Sequence, residues 1–194
     1  MSEKNEEKIQ NFPGSKYPGP SDIICISGLA GAGKNTVAEI VGSKLGWIVV
    51  QPTFKILAKK AGMSLEEFQA KARENADIDK KFDNALRDAC KDGKVVVSTW
   101  LGPWMAPGKP FRVWIDVPLD VRAKRVSGRE GQSVEEAKKA ISKRDEGNKE
   151  RYMKIYKINI YDHSGFDLIV SSDENTKPEE TAEKILDAHK KRKI

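Results

Sequence analysis

From Asp22 onward the chain alternates short apolar runs with longer amphipathic stretches. The apolar runs predict strands over Asp22–Ser27, Trp47–Val50, Lys94–Thr99, Phe111–Val117 and Asp167–Ser171. Each is rich in Ile and Val and too continuously apolar for a strand with one wet face, so the sheet is expected to be covered on both sides. The intervening stretches carry helix-start signals. Ser64 precedes Glu67, Ser133 precedes Glu136 and Thr176 precedes Glu179, each at the S/T-x-x-E spacing of a capping box. Pro178 falls where a first helical turn tolerates proline. Strands separated by helices pair in parallel through right-handed crossovers. The expected architecture is a doubly wound α/β fold on a five-stranded parallel sheet. Residues 1–21 are polar, then Pro/Gly-rich in NFPGSKYPGP, and show no periodicity. They read as a flexible tail before one domain spanning 22–194.

Between the first strand and an amphipathic helix beginning near Lys34 lies GLAGAGK, residues Gly28, Leu29, Ala30, Gly31, Ala32, Gly33 and Lys34. This G-x-x-x-x-G-K spacing, in a strand-to-helix context, is that of a loop that cradles phosphate. Glycine lets the backbone turn back and approach a ligand. Successive N–H groups then face inward, reinforced by the positive end of the following helix. Lys34 adds a point charge for the β- and γ-phosphates of a nucleotide. Asn35 stands where a hydroxyl normally meets Mg²⁺. Its amide oxygen offers a weaker ligand, direct or through water. Thr36 does not take over, because one residue turns the helix by about 100°.

Composition narrows the picture. Hydrophobic residues make up 38% and charged residues 33%, enough for a core beneath a heavily charged surface. Two cysteines, Cys25 in an apolar run and Cys90 near a helix end, make no disulfide framework, as suits a reducing cytosol. No apolar run has the length of a membrane span, and the expected location is cytoplasmic. The net charge of +6 is concentrated: residues 122–157 hold twelve Lys/Arg against six Asp/Glu, an excess equal to that of the whole chain. Lys138, Lys139, Lys149 and Lys154 read as a solvated helical face, where ion pairs stabilise by only about 0–1 kcal/mol. A nucleic-acid partner is not favoured, since no RNA-binding signature accompanies the charge. The expected partners are small-molecule nucleotides and the expected state a monomer.

The arginines of this block are a different matter. Arg125 and Arg129 are four residues apart, and Arg144 and Arg151 seven apart, so each pair shares a helical face. GREGQSV between the two helices, with Gly128 and Gly131, looks like the tip of a hinged lid over about 126–150. Guanidinium groups bind phosphate through a planar fork and stay charged. Two such pairs above a glycine-rich loop would form a clamp that excludes water during phosphoryl transfer. Arg122 is ambiguous. Asp116 ends the fourth strand, at the edge where ligands bind in such sheets; it either orders the waters of Mg²⁺ or shapes the lid entry. His163 reads as a loop residue, and His189 as exposed on a basic C-terminal helix.

Several segments resemble the archaeal-type cytidylate kinases, relatives of adenylate kinase. GMSLEEFQAKA and ADIDKKFDNALRDA are similar to that family's acceptor-binding arm, here about residues 53–92. KVVVSTWLGPWM resembles its third strand and following turn, and FRVWIDVPLDVRAKRVSGRE its fourth strand and lid helix. RYMKIYKINIYDHSGFDLIVSS resembles its last helix, loop and strand, a loop that in such kinases often lies near adenine. The family's pattern also has an Asp at Asp116. The resemblance implies a kinase that uses ATP and Mg²⁺ to phosphorylate a pyrimidine nucleoside monophosphate, CMP or dCMP, with Lys34, Arg125, Arg129, Arg144 and Arg151 around the moving phosphoryl group. The chain departs from the pattern at Asn35 and at Trp100. After the third strand the family usually carries an arginine, in a sequence like GRLAG, and this chain has TWLGP, with Trp100 at that position. Trp100 either stacks on a base or packs in the core. Ser98 and Thr99 are hydrogen-bond donors for the acceptor, and Arg73 and Arg87 in the arm are candidates for the missing charge. With Asn35 and Trp100 both unusual, a second reading stays open: a divergent nucleotide-binding or regulatory protein with altered or lost kinase activity.

Overall fold

The computed structural model describes residues 12–51, 62–64, 67 and 76–192. The strands are β1 (Ile23–Ser27), β2 (Ile48–Val50), β3 (Val95–Ser98), β4 (Phe111–Asp116) and β5 (Leu168–Ser171). The helices are α1 (Lys34–Leu45), α2 (Ala76–Cys90), α3 (Gly102–Met105), α4 (Leu119–Glu130), α5 (Val134–Tyr156) and α6 (Pro178–Lys191). All five strands are parallel and lie in the order β2-β3-β1-β4-β5. The chain therefore steps from β1 out to one edge, returns, and continues past β1 to the other. Ile24 pairs in register with Val96 of β3 on one side and Phe111 of β4 on the other.

Both faces of the sheet are covered. On one, Val37, Ala38 and Val41 of α1 and Ile185 of α6 pack against Ile24, Ile26, Val113 and Ile115. On the other, Leu86 and Cys90 of α2, Trp104 of α3 and Tyr152 of α5 pack against Ile23, Cys25, Val95, Val97 and Trp114. Every β1 residue is buried, which is why that strand reads as an apolar run from Ile23 to Ile26 closed by Ser27. A third cluster, Ala30, Ala123, Val126, Ala137 and Ile141, seats α4 and α5 on the loop after β1. Cys25 and Cys90 are both buried free thiols. Among the described residues no helix is long and apolar enough to cross a membrane.

Two of the three capping boxes form. Glu136 N donates to Ser133 Oγ (3.2 Å) while Ser133 N donates to Glu136 Oε2 (2.9 Å), and the Ser64–Glu67 pair repeats the exchange. The third does not. Asp173 Oδ1 accepts from the N–H groups of Asn175 and Thr176 and from Thr176 Oγ1, so Thr176 is held in a turn and Lys177 caps α6. A competing side chain three residues upstream took the hydroxyl.

The expectation of a flexible tail fails for residues 12–20. Phe12 is 8% exposed and stacks on Trp104 with ring centroids 6.4 Å apart, beneath the Arg112 guanidinium at 4.2 Å. Arg112 Nη2 also donates to Ser15 Oγ (2.6 Å), in a 3-10 turn over Pro13–Lys16. One buried aromatic anchors a segment whose composition otherwise reads as loop. Residues 1–11, and of the acceptor arm 53–61, 65–66 and 68–75, Arg73 included, lie outside the described residues. His189 is also not exposed as expected. It sits half-buried between Trp47 and Phe111, with centroids at 5.6 and 5.4 Å, and burial lowers its pKa.

Candidate phosphate-transfer site

The loop between β1 and α1 is closed by its own backbone and by α4 and α5. Ala32 N donates to Leu29 O (3.1 Å), and the first bond of α1 runs from Val37 N to Gly33 O, so the amides of Lys34, Asn35 and Thr36 project from the helix end. Glycine is required at two points. A Cβ at Gly28 would lie 2.8 Å from the Ile115 carbonyl oxygen of β4. Gly31 has φ +81°, and a Cβ there would lie 2.9 Å from the Arg122 carbonyl oxygen of α4.

What sequence reasoning missed is the clasp behind this loop. Arg122 and Asp145 are each 5% exposed. Arg122 Nη1 meets Asp145 Oδ2 at 2.6 Å and the Ala30 carbonyl at 2.9 Å, and Arg122 Nε donates to Val117 O (3.1 Å). Asp145 Oδ1 in turn accepts from Ala30 N (3.0 Å). Both polar groups of the Ala30 peptide unit are thus bound by one buried ion pair that joins α4, α5 and the loop. The only sequence signal was an acid beside Arg144 on a basic helix, which also describes a surface residue.

Lys34 begins α1. The residue keeps some exposure, but its ammonium is enclosed, 3.4 Å from Leu29 O and 5.2 Å above the Trp100 ring. Desolvation, then the charges of Arg144, Arg122 and Arg129, push its pKa down to about 7, with Asp145 pulling the other way. A lysine poised there takes up a proton when an anion arrives. Binding of MgATP at pH 8 is therefore expected to draw in close to one proton. Isothermal calorimetry in buffers of different ionisation enthalpy measures this. Affinity should fall as pH rises above about 7, where the free site loses its cation, and be nearly pH-independent from this group below it.

The four arginines do not converge equally. Arg144 is exposed, makes no hydrogen bond or ion pair among the described residues, and acts electrostatically on Lys34. Arg129 also acts on Lys34 while bonded to Glu130 (2.6 Å). Arg125 reaches the loop itself, where Nη1 donates to Ala32 O (3.4 Å), while Nη2 donates to Ser172 Oγ (3.0 Å) and Asp173 O (2.7 Å), past the end of β5. Arg151 is partly buried on α5 next to Tyr152. Lys138 pairs with Asp120 and Lys149 with Glu146 on the surface. Gly128 is inside α4, and Gly131, φ +68°, ends it.

At the end of β3, Ser98 Oγ donates to Asn35 Oδ1 (2.8 Å). Thr99 is buried, and its hydroxyl has no hydrogen-bond partner among the described residues. Asn35 and Ser98 thus present two neutral oxygens beside Lys34. Asp116 lies across β1 on β4, about 10 Å from β3 by strand spacing, and its charge acts on His163. No group of three or more His, Cys, Asp or Glu that could cage a metal occurs among the described residues. The donor set fits a Mg²⁺ brought in on phosphates, which takes one or two protein oxygens and keeps several waters. In the loop before β5, His163 packs on Trp114 with centroids 4.0 Å apart and bonds Ile160 O. Thr36 is exposed at the helix end.

A five-stranded parallel sheet whose first strand feeds a glycine loop, a lysine and a helix, under two arginine-bearing helices, defines the P-loop kinases. Solved structures agree on the fold. An uncharacterized protein from Eubacterium ventriosum superimposes with a TM-score of 0.67 at 18% identity, covering 88% of this chain and 99% of its own. Shikimate kinase from Bacteroides thetaiotaomicron does so with a TM-score of 0.58 at 18% identity, covering 87% and 98%. The chain belongs to the cytidylate kinase-like family, whose profile matches residues 23–174. The cytidylate kinase of Pyrococcus horikoshii is 40% identical over 152 residues, 77% of this chain and 79% of that protein. The protein is a nucleoside monophosphate kinase.

Proposed function

We propose that the protein transfers the terminal phosphoryl group of ATP to CMP or dCMP. An oxygen of the acceptor phosphate attacks the γ-phosphorus, the bond to the β–γ bridging oxygen breaks, and ADP leaves with that electron pair. The observation that carries this reading is the Lys34 ammonium, desolvated at the foot of the glycine loop under the charges of Arg129 and Arg144. Charge spread over the moving group needs positive partners that are already in place. Amides of Gly31 to Thr36 hold the phosphate chain, and Lys34 bridges its outer phosphates. Arg129 and Arg144 close on the transferred group, with Arg151 on the same helix as α5 tightens. Arg125 lies on the side of Ser172 and Asp173 and borders the nucleoside of ATP. Ser98 and Thr99, with Trp100 beside them and Arg73 from the arm, form the acceptor side. Asn35 and Ser98 would hold Mg²⁺, with Asp116 reaching at most its waters, and the ion would supply neutralisation of the phosphate charge.

The test is ADP release with MgATP across the common nucleoside monophosphates. Turnover should be greatest with CMP or dCMP and depend on Mg²⁺. Tight ATP binding with no turnover on any acceptor would replace this reading with that of a regulatory nucleotide-binding protein, for which Asn35 and Trp100 are the motive.

A further inference from the structure

We propose that Trp100 is a positioning residue for Lys34: its indole face holds the ammonium at the mouth of the loop while the nucleotide is away. This rests on the reading of Lys34 as the phosphate-gripping cation. The geometry is a lysine Nζ 5.2 Å from the ring centroid, inside the range of attraction between a cation and an aromatic quadrupole. Trp100 is held through its backbone and packed through its ring. Ser27 Oγ, fully buried in β1, donates to the Trp100 carbonyl (2.7 Å). Tyr152 lies against the indole with centroids 6.4 Å apart at 52°. Trp100 also packs on both the sheet cluster and the α4–α5 cluster, so it spans the seam where the lid helices meet the core.

Lys34 needs such a partner. Its only hydrogen bond among the described residues is a long one of 3.4 Å to Leu29 O, and Arg122, Arg129 and Arg144 all repel it. Among the described residues the carboxylate acting on it is that of Asp145, which is already engaged by Arg122 and the Ala30 amide. A π face attracts the ammonium without neutralising it and without forming an ion pair that phosphate must break. A carboxylate at the same place would compete with the nucleotide, and an arginine would add a fourth repulsion. Trp100 therefore keeps the ammonium aimed, and releases it when phosphate oxygens arrive.

The experiment follows the Lys34 ε-methylene protons by NMR in nucleotide-free protein at pH 6, assigned through Lys34→Ala. An indole face beside the ammonium shifts these protons upfield by its ring current, and saturating MgATP should remove most of that shift as the ammonium moves to phosphate. In Trp100→Leu, which keeps apolar bulk and removes the ring, the upfield shift should be lost, and Trp100→Phe should keep part of it. Lys34 ε-protons at their ordinary position in the wild type, or unchanged in Trp100→Leu, overturn the proposal. If Trp100→Leu does not fold, cross-relaxation between the ε-methylene and indole protons of the wild type decides: its presence supports the platform, its absence refutes it. Failure of the underlying reading looks different. ATP affinity would then survive Lys34→Ala, whatever the ring does to the ε-methylene shift.

Discussion

Lys34→Ala lowers kcat/KM for ATP by at least about a hundredfold to a thousandfold, the cost of removing one preorganised cation from charge that develops in the transition state. The fold should survive intact, and the physical reason is unusual for a buried residue. The Lys34 ammonium sits in an enclosure that disfavours its charge, with a pKa lowered from 10.5 to about 7. The unfolded chain thus binds this proton more tightly than the native one. Stability from this group rises with pH between about 7 and 10.5, and below 7 the native state carries the whole penalty of a desolvated cation. Lys34→Ala should therefore melt no lower than the wild type at pH 6, and Lys34→Met, which keeps the stem's packing, should melt higher. Thermal denaturation at pH 6 and pH 9 checks the sign: the gain from Lys34→Met shrinks at the higher pH. Loss of activity together with a fall in melting temperature would mean that Lys34 is a structural strut.

The second large effect lies behind the loop. Removing either partner of the Arg122–Asp145 pair strands a charge that is almost wholly buried. Arg122→Ala or Asp145→Ala should each cost about 3–5 kcal/mol. In a domain of this size that is a fall in melting temperature of roughly 6–20 °C. The two do not add, because the second removal takes away a charge already without its partner. Arg122→Met with Asp145→Leu, which fills the space with apolar bulk, should be milder than either single change. The double variant should still bind ATP poorly, since the Ala30 amide and carbonyl lose the groups that fix the loop. Calorimetric melting of the three variants measures the first point and ATP titration the second. Single changes that leave the melting temperature within a degree of wild type would show that the clasp is not what holds the loop to α4 and α5.

The contrast between these two sites shows where sequence is legible. Lys34 was visible because the whole of its setting is local: a strand, three glycines and a helix start within a dozen residues. The strands were visible for the same reason, since burial on both faces leaves β1 and β3 apolar up to their closing serines, Ser27 and Ser98. Asp145 was not, because the group that defines its role, the Ala30 amide, lies 115 residues away in sequence, and nothing about an acid on a basic helix marks it as buried. Phe12 and His189 went the same way. Each takes its character from aromatic rings on distant strands and loops, Trp104 for the first and Trp47 with Phe111 for the second. The arginines fell between. Helical spacing put Arg125 and Arg129 on one face, but four residues also move a side chain about 6 Å along the axis. That rise separates the one that meets Ser172 and Asp173 from the one whose charge reaches Lys34.

Direct observation of the transferred group is the sharpest test. Phosphorus NMR of the protein with ATP, Mg²⁺ and CMP should show the two resonances of CDP rising in step with those of ADP, while inorganic phosphate stays flat. ATP that remains unchanged, or that breaks down to ADP and free phosphate with CMP untouched, would contradict the assignment of this loop and its canopy of arginines to phosphoryl transfer between nucleotides.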